Sequence, residues 1–406
     1  MGRYDFDKVT VRRGTGCVKW DESAVDDIIP MWVADMDFEV APAIQDAIGR
    51  RAQHPVFGYT HVGDKYYDAI ISWFSRRHGW HDIRREDIIY TTGVVPAISA
   101  CLKAMTMAGE KVLVLTPVYN CFFSSIRNSG CEVLGSGLRT DNRRCSHEEM
   151  RWEVDWDDFE RKCADEKTTV FLLCNPHNPV GRVWTREELE RMKDICCRHG
   201  VQVISDEIHC ELVMPGYQYQ PFATVGCGQM KNIPSVVLTS PSKAFNIAGL
   251  QTANIICKDT ELRRRIDRAI NINEVCDLNV FGPEALVAAY NESEEWLDEL
   301  CQYLYGNYEA LREFFAEQLP QLPISCLEGT YLVWVDVSAV LNSKGNITNS
   351  DALTERLLND GHVQVSSGSI YGGEGYIRLN IATQRERMME GLRRIKKVID
   401  GARIEE

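Results

Sequence analysis

The chain has 406 residues, 44% of them apolar and 26% charged, a globular composition long enough for two or three domains. Its 59 acidic residues against 45 lysines and arginines leave a net charge of −14, with no compact basic run. That balance argues against nucleic acid or an anionic membrane surface as a partner. Apolar runs such as Val170–Cys174 fall far short of the roughly 18 residues a membrane span needs. The opening MGRYDFDKVT lacks the apolar stretch of a signal peptide, and Phe6 stands where a myristoylation signal needs Ser or Thr. The 15 cysteines are odd in number and scattered, with no C-x-x-C. Free thiols, no metal site and a cytoplasmic location are therefore expected.

In chain order, the β-rich runs are Ile88–Thr92, Lys111–Thr116, Thr169–Cys174, Val201–Ser205, Ser235–Ser240 and Thr252–Cys257. Their near-continuous Val, Ile and Leu content predicts a parallel sheet covered on both faces. Between two of them, Thr185 and Glu188 form a capping box for a helix that Gly200 stops. After Gly282–Pro283 the pattern predicts a long helix from Glu284 to about Phe315, then strands in TYLVWVDV and YIRLNIA, then a helix in RERMMEGLRRIKKVI. The expected architecture is α/β: a large domain over residues 47–283 with a mostly parallel sheet, and a smaller α+β domain from residues 1–46 and 284–406.

Ligands of such sheets bind beyond the carboxyl ends of the strands. There the sequence places Gly93 with a helix starting near Pro96, then Tyr119, then NPHNPVG, then Asp206–Glu207, and finally Ser242–Lys243. Each has a plain structural reading: a turn, a core aromatic, turn asparagines, a helix cap. Lys243 is hardest to dismiss, because a lysine directly after a buried strand seldom reaches bulk water. Together they describe a pocket for pyridoxal 5'-phosphate. A desolvated lysine forms the Schiff base, a carboxylate keeps the pyridine nitrogen protonated, and helix amides with serine hydroxyls hold the phosphate. No phosphate-loop, complete dinucleotide or H-E-x-x-H motif competes.

NPHNPVG, ISDEIH, SPSKAFNIAG and YIRLN, in that order, resemble the fold type I pyridoxal-phosphate enzymes of the class I/II aminotransferase group. The landmarks run from Pro30 to Arg378. The resemblance implies an aspartate aminotransferase-like fold, with Lys243 as the Schiff-base lysine and Asp206 as the partner of the pyridine nitrogen. It also implies that Asn178 bonds the ring hydroxyl beside the substrate and that Tyr119 stacks on the ring. The amides of Gly93, Val94 and Val95, with Ser240 and Ser242, would hold the phosphate, and Arg378 the substrate α-carboxylate. Tyr59, in HPVFGY, is similar to a tyrosine reaching the phosphate from a neighbouring subunit, which implies a homodimer with shared active sites. Within the group, PMWVADMDF (Pro30–Phe38) resembles the MalY/PatB-type carbon–sulfur lyases, the cystathionine β-lyases. Two details agree with that subgroup. His209 stands where many aminotransferases have tyrosine and would order Asp206, and Gln251 replaces an arginine on the phosphate. The implied reaction is α,β-elimination from cystathionine or other cysteine S-conjugates to a thiol, pyruvate and ammonia. The alternatives are an aminotransferase using a 2-oxo acid acceptor and a regulatory binding protein. No cysteine is expected at a cofactor or substrate position.

Overall fold

The computed structural model describes residues 2–141, 149–226, 233–272, 274, 277–341 and 347–401; Cys145, Cys227 and Cys276 lie outside them. The chain opens with a short helix, Val18–Asp21, and β1 (Ile29–Met31). Strands β2 (Ile88–Thr91), β3 (Lys111–Thr116) and β4 (Glu132–Gly137) come next, then a ribbon of β5 (Arg139–Asp141) and β6 (Arg151–Glu153). After the ribbon stand β7 (Thr168–Cys174), β8 (Gln202–Asp206), β9 (Ser235–Thr239) and β10 (Ala253–Ile256). The last strands are β11 (Leu332–Asp336), β12 (Val363–Ser367) and β13 (Tyr376–Asn380).

Seven strands form the large sheet in the order β2-β10-β9-β8-β7-β3-β4. All six expected runs are strands in it, and its pairings are parallel except the two that β10 makes, with β2 and with β9. The thirteen residues between β9 and β10 hold one 3-10 turn, Ala248–Leu250, and no α-helix of the kind that usually carries a parallel crossover. The reversal has a consequence for the site: the start of β10, not its end, lies at the edge where β7, β8 and β9 finish. The sequence reading also misses β4, whose two glycines hide its strand character. Its helix ending at Gly200 is Arg186–His199, with the Thr185–Glu188 capping box formed and Gly200 left-handed at φ +72°.

The second sheet runs β1-β12-β13-β11. It joins the two ends of the chain, because β1 pairs in parallel with β12. The expected long helix is two, Gly282–Glu292 and Glu294–Gln318, broken at Ser293. The closing helix spans Arg385–Ile399. The expected domain boundary at residue 47 falls inside a helix, Pro42–Gln53. Among the described residues, no disulfide joins any cysteines and no helix is long and apolar enough to cross a membrane.

Candidate active site

Strands β7, β8 and β9 end side by side, and residues at or just beyond their carboxyl ends line one cavity of about 450 Å³. From β7 come Cys174 and Asn178, from β8 Asp206, Ile208 and His209, and from β9 Ser240, Ser242 and Lys243. The helix Val94–Met105 points its first turn into the same space: Gly93, Val94 and Val95 line it, and no side chain caps this end. Tyr119 lines it beyond β3, and Gln251 and Thr252 at the start of β10. Arg378, on β13 of the small sheet, closes the far side. The structure thus brings together every expected site residue but one. Tyr59 is 98% exposed, beside exposed Val56 and Phe57 on a separate surface hollow.

A strand alternates its faces, and β8 uses this to separate two adjacent carboxylates. Asp206 lines the cavity, its Oδ1 accepting the Ile208 amide at 3.1 Å. Burial pushes its carboxyl up to about 7, against the pull of that amide and of the Lys243 charge. Glu207 is turned into the core, where Ser205 Oγ, the Phe222 amide and the Tyr219 hydroxyl donate to it.

Lys243 is partly buried and lines the cavity. Burial first, and then the Arg378 charge, brings its amine down to about 8, with Asp35 and Asp206 opposing. Its Nζ donates to the Ala34 carbonyl at 2.7 Å, and the Tyr331 hydroxyl donates to that same carbonyl at 2.9 Å. Arg378 is buried, with Nη1 donating to Asn178 Oδ1 at 3.1 Å and Nη2 to Trp32 O at 2.9 Å. Its guanidinium lies 4.6 Å from the centre of the Tyr371 ring, and its Nε is buried without a partner.

Three expectations change in detail. His209 lines the cavity but makes no hydrogen bond to Asp206; its Nδ1 is buried without a partner, and burial with the nearby Lys243 and Arg378 charges keeps the ring neutral. Ser240 Oγ reaches inward to Thr252 O at 2.7 Å, accepts the Ser242 amide at 3.1 Å and shares a hydrogen bond with Ser242 Oγ at 2.8 Å, so the two hydroxyls are bonded to each other at the cavity wall. Cys121 and Cys174 both line the cavity, a placement that the expectation of no cysteine at a cofactor or substrate position does not include. Cys174 owes its position to being the last residue of β7, and Cys121 to its place in the first turn of the helix Asn120–Asn128.

Sequence reasoning misses the contribution of Trp32–Phe38, which it uses only as a subgroup marker. This segment crosses the cavity as a strap, and Trp32, Val33 and Ala34 line it. The strap serves the site mainly through carbonyls, which carry no side-chain signature. Tyr331, which holds Ala34 O, is legible only as one more aromatic.

Tested against pyridoxal phosphate, the residues present fit. An uncapped helix N-terminus suits a phosphate, and a buried carboxylate facing the cavity suits a protonated ring nitrogen. A lysine amine of lowered pKa suits an imine bond, and the orphaned Arg378 Nε marks buried polar capacity that the chain alone leaves unused.

A doubly wound sheet with these groups at its carboxyl edge defines a fold type I pyridoxal-phosphate protein, and residues 26–395 match the family Aminotransferase class I and II, to which the chain belongs. It is 38% identical to the cystathionine beta-lyase PatB of Bacillus subtilis (strain 168), over 97% of this chain and 100% of the relative. Identity to Protein MalY of Escherichia coli (strain K12) is 33%, covering 96% of this chain and 97% of that one. The PLP-bound C-S lyase from Staphylococcus hominis superposes with a TM-score of 0.89 at 32% identity, covering 98% of this chain and 99% of the other.

Proposed function

We propose that the chain is a pyridoxal-phosphate-dependent carbon–sulfur lyase that acts on L-cystathionine or related cysteine S-conjugates by α,β-elimination, releasing a thiol, pyruvate and ammonia. The observation that carries this reading is the strap that grips both Lys243 and Arg378, in a chain that covers a cystathionine beta-lyase end to end.

Bound pyridoxal phosphate supplies an electron sink for the pair left when a proton departs from Cα. The chain's residues do the rest. Arg378, pre-aimed by Asn178 and Trp32 O, receives the substrate α-carboxylate in a fork lysine cannot imitate. The free Lys243 amine would take the Cα proton onto Nζ, and Ala34 O, which already accepts from Nζ at 2.7 Å, would accept a hydrogen bond from the ammonium so formed. A pKa near 8 leaves a useful fraction of the amine neutral at physiological pH. Asp206 holds the proton on the ring nitrogen, and that pairing stabilises the charged carboxylate that burial alone disfavours. The amides of Gly93–Val95 with Ser240 and Ser242 would hold the phosphate, Asn178 the ring hydroxyl, and Tyr119 the ring. The sulfur leaves from Cβ as a thiolate and takes up a proton, and water hydrolyses the three-carbon enamine that remains to pyruvate and ammonia.

The working form is a homodimer in which Tyr59 of each chain completes the other's phosphate site; its near-total exposure beside Val56 and Phe57 supports this. A reducing, cytoplasmic location accords with the scattered, unbridged cysteines. The test is a panel of cystathionine and cysteine S-conjugates scored for pyruvate and free thiol, without added 2-oxo acid. Equal yields of the two support the lyase. Product formation that depends strictly on a 2-oxo acid would make it an aminotransferase.

A further inference from the structure

Asn246 lies three residues beyond Lys243 and holds a backbone φ of +56°, in the left-handed region that asparagine tolerates better than most side chains. Its amide is spent on the strap. Oδ1 accepts the Met36 amide at 3.1 Å, while Nδ2 donates to Met36 O at 3.1 Å and to Phe38 O at 2.9 Å. The strap is pinned from its other side through Asp37, whose buried carboxylate accepts from Lys19 Nζ at 3.1 Å and from Arg12 Nη1 and Trp20 Nε1 at 2.9 Å each. Gln384 Nε2 donates to Asp37 O at 3.0 Å. Between these pins and β1, Trp32 O and Ala34 O are the carbonyls that meet Arg378 and Lys243. Asn246 itself does not line the cavity.

We propose that Asn246 is a positioning residue for the elimination: it clamps the lysine-bearing loop to the strap, in the register at which Ala34 O receives the Lys243 amine and Trp32 O receives Arg378. The inference rests on the lyase reading. During turnover the Lys243 amine alternates between its bond to the cofactor and a free state in which it carries the Cα proton. In the free state it needs a fixed partner, and a carbonyl on an unanchored segment would not be one. Asparagine is suited to the task by both its backbone and its side chain. Glycine could adopt the same φ without making the clamp, and aspartate could accept from Met36 N without donating to the two carbonyls.

The experiment compares Asn246→Gly and Asn246→Asp with the wild-type holoenzyme, each normalised to bound cofactor. Pyruvate release from cystathionine gives kcat and KM. A pH titration of the bound cofactor's absorbance, without substrate, reports separately on the lysine–cofactor bond. Because small displacements from reacting geometry are costly, Asn246→Gly should raise KM about fivefold or more, through Arg378, and lower kcat about threefold or more, through Lys243. The absorbance midpoint should move by about half a pH unit or more. A variant that melts earlier but keeps wild-type kcat, KM and midpoint per occupied site would reduce Asn246 to a structural role and overturn the proposal. If Asn246→Gly does not fold, Asn246→Asp decides by the same criteria. Wild-type protein that releases no pyruvate would sink the lyase reading instead, and the absorbance midpoints would still judge Asn246.

Discussion

The two walls of the cavity are built from different parts of the polypeptide. At the ends of β7, β8 and β9 the chain offers side chains: Asn178, Asp206 and Lys243. Across Trp32–Phe38 it offers carbonyl oxygens, and side chains from elsewhere reach in to hold them. The first wall is chemistry and the second is alignment. Arg378 spans both, bonded to Asn178 on one side and to Trp32 O on the other. Mutations in the first wall should remove a step, and mutations that act through the second should degrade its geometry.

The largest effect is expected for Lys243→Ala, which removes the proton carrier and the imine bond together. Steady-state pyruvate release should fall by about 10⁴-fold or more, with the far-ultraviolet dichroism unchanged. A variant retaining a tenth of wild-type turnover would contradict the role given to the lysine.

Arg378→Lys tests the residue that spans the two walls. An ammonium cannot keep the bonds to Asn178 and Trp32 O and still present a fork to a carboxylate. A loss of about 100-fold in kcat/KM is expected, carried mainly by KM. A loss confined to kcat would place the arginine in the chemistry instead.

A smaller effect concerns stability. In cofactor-free protein the Asp206 carboxyl sits near 7, against about 3.9 in an unfolded chain. A raised folded value means that its contribution is fully present below the unfolded pKa and is lost as pH rises through about 7. Cofactor-free Asp206→Asn, which does not titrate, should therefore melt no higher than wild type at pH 4 and several degrees higher at pH 8. Equal melting curves at both pH values would show that the carboxylate is better solvated than its burial indicates.

The smallest effect belongs to Tyr331→Phe, which leaves Ala34 O to Lys243 alone. One neutral hydrogen bond is worth about 1 kcal/mol, so kcat should fall about two- to fivefold with KM little changed. A hundredfold loss would mean that Tyr331 touches the reaction directly.

The legibility of the site in the sequence divides along the same line. The sequence exposes residues whose side chains do chemistry at a strand's end, so Asp206, Asn178 and Lys243 can be named without the fold. It exposes poorly the features that depend on the backbone. The reversal of β10 goes with a connection that forms no α-helix, the inward hydrogen bond of Ser240 rests on the neighbour that β10 brings, and the strap grips through carbonyls alone. His209 shows a further limit: its place beside Asp206 is readable from spacing, but its orientation is set by packing against Tyr331, at 6.1 Å between ring centres. Cys121 escapes a motif-based reading because a scattered thiol has no motif, although its helix begins directly after Tyr119.

The central claim is that the released electrons leave with sulfur rather than return to the cofactor. Counting turnovers per bound cofactor, with cystathionine and no 2-oxo acid present, tests this most directly. The account predicts many turnovers, with pyruvate and thiol formed in equal amounts and the cofactor still bonded to Lys243 at the end. A single turnover per site that leaves the cofactor in its amine form, revived only by added 2-oxo acid, would contradict it.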